Sequence, residues 1–298
     1  MKTLEKYLLD NTSEGVRSVV MSVAYAIMGI DKIISTADSS KGGGLNVFGE
    51  EQLALDVLCD DFMSSELKKN SLVGVIASEE LPSEMLIGDG AYGVCYDPLD
   101  GSSLVDVNLS VGTIVGIYET ETFTGVTGRD QLASLCVTYG PKTTMLITVG
   151  EGVCEFTLNG EEFVLSRDDI YIKEGKMFAP GNMRACKENE MYTELINFWI
   201  MNQYTLRYSG GMVPDVSQIL LKGKGVFAYP SDCKRINGKL RLLFECAPFA
   251  FLIEQAGGAS SDGEKSILDI VSTGIEHCTP VYLGSREEVE RCEKYLAK

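Results

Sequence analysis

Apolar residues recur every three or four positions between residues 16 and 34, just after the hydroxyl residues Thr12 and Ser13. This spacing predicts a helix with one buried face, and either hydroxyl residue is suited to cap its N-terminus. A second helix is predicted at about residues 51–69. The glycine-rich residues 39–44 and the following residues up to Glu50 have the composition of a mobile loop, which we expect to act as a lid.

Short β-branched segments punctuated by glycine follow between residues 107 and 171, at about 113–118, 135–139, 145–149 and 152–156. They predict a mostly antiparallel sheet. After residue 173 the pattern alternates between helices (190–201, 213–221, 240–256 and from 286) and strands (226–229 and 280–283). The change predicts two domains, a metal-binding phosphatase domain at residues 1–170 and an α/β substrate-binding domain at residues 171–298.

Composition limits the classes of function. The 298 residues are 45% hydrophobic and carry a net charge of −17, which argues against nucleic acid and anionic membranes as partners. Polar residues such as Arg17 and Asp31 interrupt the first apolar stretch, so we expect no membrane span. The nine scattered cysteines contain no Cys-x-x-Cys pair and indicate a reducing compartment. We expect a cytoplasmic protein, or a plastid protein if a presequence has been removed.

One stretch departs from the acidic average. Residues 207–241 contain seven basic residues (207, 222, 224, 234, 235, 239 and 241) against two acids. A basic lobe in an acidic protein suits a small polyanionic ligand, whereas the alternative is a solvated basic face.

Two carboxylates stand three residues apart in Asp97-Pro98-Leu99-Asp100, directly before Gly101-Ser102-Ser103. The proline restricts the backbone so that both acids can face one point. The glycine and the serines offer the N–H groups and hydroxyls that a phosphate needs for close approach. The alternative is an ordinary turn between two strands.

A second acidic pair, Glu79 and Glu80, follows the apolar residues 72–77. An acidic pair alone would more often be solvated surface. Four acids at two strand ends, however, repel one another and are tolerable mainly where cations compensate them. Oxygen ligands favour Mg²⁺ or Mn²⁺ over zinc, so the conjunction with Asp97 and Asp100 predicts such a site.

Further polar residues interrupt apolar runs elsewhere. Glu245 is a candidate fifth acidic ligand, Lys239 a phosphate contact and Arg241 a brace for the acids, in a helix predicted to continue to residue 254. Asp56, on the second helix, would orient water if it faces the acids. The alternatives are surface salt bridges and a surface acid.

Several motifs together resemble the fructose-1,6-bisphosphatase class of metal-dependent sugar phosphatases. They are Ala77-Ser78-Glu79-Glu80, residues 97–103, residues 239–245 and residues 254–258. Within that class, residues 180–185, 204–216 and 260–269 are more similar to the sedoheptulose-1,7-bisphosphatases. Ala185 stands where fructose bisphosphatases usually carry a tyrosine, which predicts room for a seven-carbon sugar.

The resemblance implies a five-layered α-β-α-β-α sandwich with the site between the domains, and two to three Mg²⁺ (or Mn²⁺) per subunit. The implied metal ligands are Glu79, Glu80, Asp97, the Leu99 carbonyl, Asp100 and Glu245. Asp56 and Glu80 would activate water, with the loop acid Glu50 and Arg241 beside them. Asp100, Gly101, Ser102 and Ser103 would face the transferring phosphoryl group. The sugar and its other phosphate would meet Asn182, Arg184, Ala185, Tyr208, Met212, Tyr229 and Lys239, with Arg207 reaching across a homodimer or homotetramer.

The function implied is Mg²⁺-dependent hydrolysis of the C1 phosphate of sedoheptulose 1,7-bisphosphate. A fructose-1,6-bisphosphatase or an enzyme acting on both sugars is the alternative within the class. A non-catalytic phosphosugar sensor on the same fold is the alternative outside it. A sensor would require a broken acid cluster, and the acids here are all present.

Overall fold

The computed structural model describes residues 2–36, 44–45, 51–52 and 54–296. Glu50 and most of the predicted lid therefore lie outside the described residues. The helices are α1 (Leu4–Asn11), α2 (Glu14–Thr36), α3 (Ala54–Leu67), α4 (Glu190–Met201), α5 (Met212–Lys222), α6 (Ala247–Gln255) and α7 (Arg286–Leu296). Short 3₁₀ helices span Ser102–Val107, Gly128–Asp130, Met183–Lys187 and Ile267–Asp269, and Leu242–Cys246 forms a π-helical turn.

The strands of the first half are β1 (Gly44–Leu45), β2 (Glu51–Gln52), β3 (Val73–Ser78), β4 (Met85–Leu86), β5 (Tyr92–Asp100), β6 (Val111–Glu119), β7 (Gln131–Tyr139), β8 (Thr144–Thr148), β9 (Cys154–Asn159) and β10 (Glu162–Arg167). Those of the second half are β11 (Met177–Pro180), β12 (Thr205–Leu206), β13 (Val226–Tyr229), β14 (Leu240–Arg241), β15 (Ala259–Ser261), β16 (Cys278–Thr279) and β17 (Val281–Gly284).

The larger sheet has eight strands in the order β10-β9-β8-β7-β6-β5-β3-β4. All neighbours are antiparallel except β3 and β5, which run parallel and so end at the same edge. This confirms the predicted antiparallel sheet. The parallel pair matters for the site, because the acids that follow β3 lie beside those at the end of β5.

The smaller sheet has five strands in the order β12-β11-β13-β17-β15. Helices α5 and α6 pack between the two sheets, α1 to α3 cover the outer face of the larger sheet, and α4 and α7 cover that of the smaller. These five layers confirm the α-β-α-β-α sandwich. The predicted boundary at residue 170 remains a prediction.

Helix α2 begins as predicted, since the Ser13 hydroxyl accepts a hydrogen bond from the Val16 N–H at 3.3 Å. Among the described residues, α2 is the one helix long and apolar enough to cross a membrane by length and composition. A core helix meets the same two criteria. The buried stripe of α2, from Val16 to Ile30, belongs to the core beneath the larger sheet.

The prediction of a helix over residues 240–256 was partly wrong. Leu240–Arg241 is strand β14, which pairs with β16, and the α-helix begins only after the π-helical turn, at Ala247. The Leu242 N–H donates to the His277 carbonyl at 2.7 Å, a non-local contact that holds this segment extended at its start. The second predicted helix also begins later than expected, at Ala54.

Candidate active site

A cavity of about 390 Å³ lies between the strand ends of the larger sheet and the start of α5. It is lined by Asp56, Glu79, Glu80, Asp97, Leu99, Asp100, Gly101, Ser102, Ser103, Tyr208, Gly210, Gly211, Met212, Asp215, Phe227, Tyr229, Lys239, Leu240 and Glu245. A larger cavity of about 1130 Å³, beside residues 234–238 and 262–280, contains none of the predicted site residues. The smaller cavity therefore gathers the candidate chemistry.

The end of β5 is shaped by its own carboxylate. Asp97 Oδ1 accepts a hydrogen bond from the Leu99 N–H at 2.9 Å, and the Pro98 carbonyl accepts one from the Thr113 hydroxyl at 2.8 Å. Gly101, two residues after Leu99, has a φ of 77°, a left-handed backbone conformation that favours glycine. The strand thus turns sharply and presents its acids and serines to the cavity.

Asp100 joins the two halves of the chain. Its Oδ2 accepts a hydrogen bond from the Val213 N–H at 2.6 Å and its Oδ1 accepts one from the Met212 N–H at 3.3 Å. These are the first N–H groups of α5, whose N-cap, Gly211, has no side chain to satisfy them. A carboxylate at a helix N-terminus is favoured by the helix dipole. Asp100 therefore caps α5 from the larger sheet.

The Glu79–Glu80 turn is held by its neighbours. The Glu79 N–H donates to the Tyr96 carbonyl at 3.2 Å, and the Glu80 N–H donates to the Ser78 hydroxyl oxygen at 3.2 Å. Ser78 and Tyr96 are paired in the parallel ladder of β3 and β5 and are fully buried. This pairing places Glu79 and Asp97 side by side at the edge of the sheet where β3 and β5 end.

Glu245 reaches the cavity because of the π-helical turn. Its Oε2 accepts a hydrogen bond from the Arg241 N–H at 2.6 Å, and its side chain is buried. Burial lowers the pKa of Arg241, yet a hydrogen bond to Cys278 and the charges of Glu79 and Glu245 raise it overall. Arg241 does not line the cavity, and its role as a brace for the acids remains a prediction.

The acids repel one another strongly. Burial raises the pKa of Asp97 well above its usual range, and the charges of Glu79, Asp100 and Glu245 raise it further. Burial likewise raises the pKa of Glu245, with Glu79 as its strongest charged neighbour. Burial raises the pKa of Asp100 to about 6, although its bonds to α5 oppose the shift. Ionising all of them together would therefore require compensating positive charge.

A divalent cation fits this donor set by its chemistry. The donors are carboxylate and carbonyl oxygens, which Mg²⁺ and Mn²⁺ prefer. Within the described ranges, no three acidic, His or Cys side chains are already arranged to hold an ion. The donors thus fit a divalent cation in their charge and in their ligand type, and the metal itself remains a proposal.

The opposite wall is basic and aromatic. Burial raises the pKa of Tyr229 and the charge of Lys239 opposes that shift, which places the two groups close together. Burial also raises the pKa of Tyr208, opposed by Arg184. Arg184 is therefore near the cavity, although it does not line it.

Three predicted sugar contacts lie elsewhere. Ala185 is fully buried in the core that contains Phe178 and Trp199, so it does not line the cavity and its volume cannot shape it directly. The Asn182 amide donates to the Pro230 carbonyl at 2.9 Å and to Asp232 at 3.0 Å. Arg207 follows the exposed edge strand β12, outside the cavity of this chain.

Some lining residues escaped the sequence analysis. Gly210, Gly211 and Asp215 border the cavity, as do Phe227 and Leu240. The available signal was the glycine pair, followed four residues later by an acid in the first turn of a predicted helix. Phe227 and Leu240 gave no signal, because apolar residues in strands are ordinarily core.

The same fold is found in solved structures of sugar-bisphosphate phosphatases, a class of hydrolases. The chain belongs to the fructose-1,6-bisphosphatase family. The family model "Fructose-1-6-bisphosphatase, N-terminal domain" matches residues 2–168, and "Fructose-1-6-bisphosphatase, C-terminal domain" matches residues 172–297. The protein is thus a member of a family of sugar-bisphosphate phosphatases.

Relatives carry two different names. The chain is 44% identical to "Fructose-1,6-bisphosphatase class 1" of Pelobacter propionicus, over 98% of this chain and 92% of the relative. It is also 44% identical to the chloroplastic sedoheptulose-1,7-bisphosphatase of Spinacia oleracea, over 99% of this chain and 78% of the relative. The holo structure of Leishmania major fructose-1,6-bisphosphatase superposes with a TM-score of 0.93 at 32% identity, over 99% of both chains.

Proposed function

We propose that this family member hydrolyses the C1 phosphate of sedoheptulose 1,7-bisphosphate. The observation that carries the proposal is the single cavity in which the acids of two strand ends, the Gly101–Ser103 turn and Lys239 meet. Fructose 1,6-bisphosphate is the second candidate substrate, favoured by relatives that bear its name at the same identity. The choice between them rests on the motifs of residues 180–185, 204–216 and 260–269.

We expect two to three Mg²⁺, or Mn²⁺, in the acidic half of the cavity. The residues that would hold them are Glu79, Glu80, Asp97, the Leu99 carbonyl, Asp100 and Glu245. When bound, such ions supply Lewis-acid chemistry that acidifies water and neutralises charge on the leaving oxygen. The mutual repulsion of Asp97, Glu79 and Glu245 supports this expectation.

The protein's own side chains would bind the substrate and accept the proton of the attacking water. Phosphoryl transfer needs positioning and charge stabilisation more than covalent chemistry. Gly101 and the two serines after it offer N–H and hydroxyl donors to the transferring phosphoryl group. Asp56, which is buried at the cavity wall, and Glu80, which also lines the cavity, would take the proton of the attacking water. Lys239, Tyr208 and Tyr229 would hold the distal phosphate and the sugar.

Assembly into a homodimer or homotetramer is part of the proposal. Strand β12 lies at the edge of the five-stranded sheet, and Arg207 follows it directly. Leu206 is 58% exposed and Met201 80% exposed, and in the proposed assembly a second copy would cover this edge. Such a copy would bring Arg207 to its neighbour's distal phosphate.

The test is phosphate release from both bisphosphates in the presence of Mg²⁺. We expect a higher kcat/KM on the seven-carbon sugar, with sedoheptulose 7-phosphate as the product identified by ³¹P NMR. A higher value on fructose 1,6-bisphosphate would overturn the proposed substrate. No release from either sugar by the folded protein would overturn the proposed activity itself.

A further inference from the structure

The turn before α5 carries Tyr208 and Gly210 to the cavity, and a buried carboxylate from the first turn of α5, itself at the cavity wall, holds it. Asp215 is fully buried, and its Oδ1 accepts a hydrogen bond from the Ser209 N–H at 2.7 Å. Its Oδ2 accepts one from the Gly210 N–H at 3.3 Å. Both carboxylate oxygens are thus directed at the backbone of this turn.

The turn has little else to order it. Gly210 has a φ of 104°, and Gly211 follows it directly, so two glycines give the unfolded turn unusual freedom. Ser209 is half-buried and Gly210 is exposed. Three other local bonds join uncharged groups. The Gly211 N–H donates to the Ser209 hydroxyl oxygen at 3.3 Å, and the Gly211 carbonyl accepts from the Ser209 hydroxyl and from the Asp215 N–H, each at 3.4 Å. The two bonds to Asp215 are therefore the main local restraint on where the turn lies.

Asp215 and Asp100 both accept hydrogen bonds from backbone N–H groups near the start of α5, but from different ones. Asp100 accepts the N–H groups of Met212 and Val213, whereas Asp215 accepts those of Ser209 and Gly210. Together the two acids restrain four of the five consecutive residues 209–213. Asp215 restrains the turn that carries Gly210, and Asp100 restrains the start of the helix, whose Met212 also lines the cavity.

The buried position of Asp215 disfavours its ionised form. Burial raises its pKa, while the bonds from Ser209 and Gly210 lower it. Burial of an ionised carboxylate carries a desolvation cost, which the bonds from Ser209 and Gly210 offset, so the specific effect of this acid is on geometry. That geometry is the backbone path of the turn.

We infer that Asp215 is a positioning residue that sets where Tyr208 and the Gly210–Gly211 backbone meet the sugar. The inference rests on the proposed function, because it assigns this wall to substrate binding. Loosening the turn weakens ground-state and transition-state binding alike, which raises KM and leaves kcat nearly unchanged. A loss of folded protein would instead lower the apparent kcat at constant KM.

The experiment compares Asp215→Asn and Asp215→Ala with the parent, using kcat and KM for sedoheptulose 1,7-bisphosphate and fructose 1,6-bisphosphate. Asparagine keeps one acceptor for Ser209 but turns an NH₂ group towards the Gly210 N–H. We expect KM to rise about tenfold or more for alanine and less for asparagine, as for lost bonds to a charged acceptor. The matched control is Glu288→Gln, a buried acid that binds Trp199 and Tyr204 and does not line the cavity.

A KM increase in both Asp215 variants, absent from the control, supports the inference. An unchanged KM in an active, folded variant overturns it, whereas a parent inactive on both sugars overturns the proposed function instead. If neither variant folds, amide hydrogen exchange of the parent decides. Protected Ser209 and Gly210 amides support the restraint, and exchange as fast as in an unstructured peptide refutes it.

Discussion

Replacing Asp100 by asparagine separates two effects that the structure assigns to one carboxylate. Burial raises its pKa from the ordinary 3.8 to about 6, so the ionised form is disfavoured in the metal-free fold. A shift of that size corresponds to about 3 kcal/mol of stability. The sign follows from the raised value: the contribution is fully present below pH 3.8 and is lost as the pH rises through about 6.

Asparagine cannot ionise and retains only one of the two acceptors for the Met212 and Val213 N–H groups. At pH 4.5 the parent's carboxyl is protonated and also offers one carbonyl acceptor, so the two metal-free proteins should differ in stability by no more than about 1 kcal/mol. At pH 7.5 the parent has lost about 3 kcal/mol and the variant has not, so the variant should be the more stable metal-free protein. Activity with Mg²⁺ should nevertheless fall by on the order of 10² or more, because a charge facing the reaction is removed.

The assay is urea denaturation of both proteins in a chelator at pH 4.5 and 7.5, followed by phosphate release with Mg²⁺. Asp106→Asn, an exposed acid on the following 3₁₀ helix, is the control and should change neither quantity. A stability difference that stays constant with pH would refute the burial argument. Full activity in a folded Asp100→Asn protein would refute its place in the site.

Four further substitutions test other parts of the account. Gly101→Ala places a side chain at a φ of 77° and should lower the free energy of unfolding by about 1 kcal/mol, read by urea denaturation. Glu288→Ala removes the acceptor of the buried Trp199 indole and should cost about 1–3 kcal/mol in tryptophan-monitored unfolding, with KM unchanged. Because Ala185 is fully buried, Ala185→Tyr should destabilise the fold without changing the ratio of kcat/KM between the two sugars, whereas Arg184→Ala, near Tyr208, should change it. A ratio of kcat/KM values that changes in Ala185→Tyr but not in Arg184→Ala would show that Ala185 sets the selectivity between the two sugars.

Much of the acidic half of the site follows from local sequence. Glu79 and Asp97 each stand directly after or within an apolar strand, and parallel pairing of those strands brings them together. The stripe of α2 and the bounds of α4 are also local signals, since periodicity and caps determine them. These features were predicted because they need only neighbours along the chain.

The rest depended on distant partners. Strand β14 exists because residues 278–279 pair with it, a contact 37 positions away from Arg241 that no local pattern announces. Ala185 lies on a short 3₁₀ helix whose orientation is fixed by packing against an aromatic core. Asp215 is the exception, because its partners Ser209 and Gly210 are near in sequence, but an acid in a first helical turn gives no sign that its side chain turns back to the preceding residues.

The central claim is that the acids at the ends of β3 and β5 carry out metal-dependent phosphate release from a sugar bisphosphate. The most direct measurement is the initial rate of phosphate release from sedoheptulose 1,7-bisphosphate, with Mg²⁺ and with a chelator, for the parent and for Asp97→Asn. We predict release by the parent only with Mg²⁺, and a rate lower by on the order of 10² or more for the variant. Release that survives the chelator, or a folded Asp97→Asn protein as active as the parent, would contradict the account.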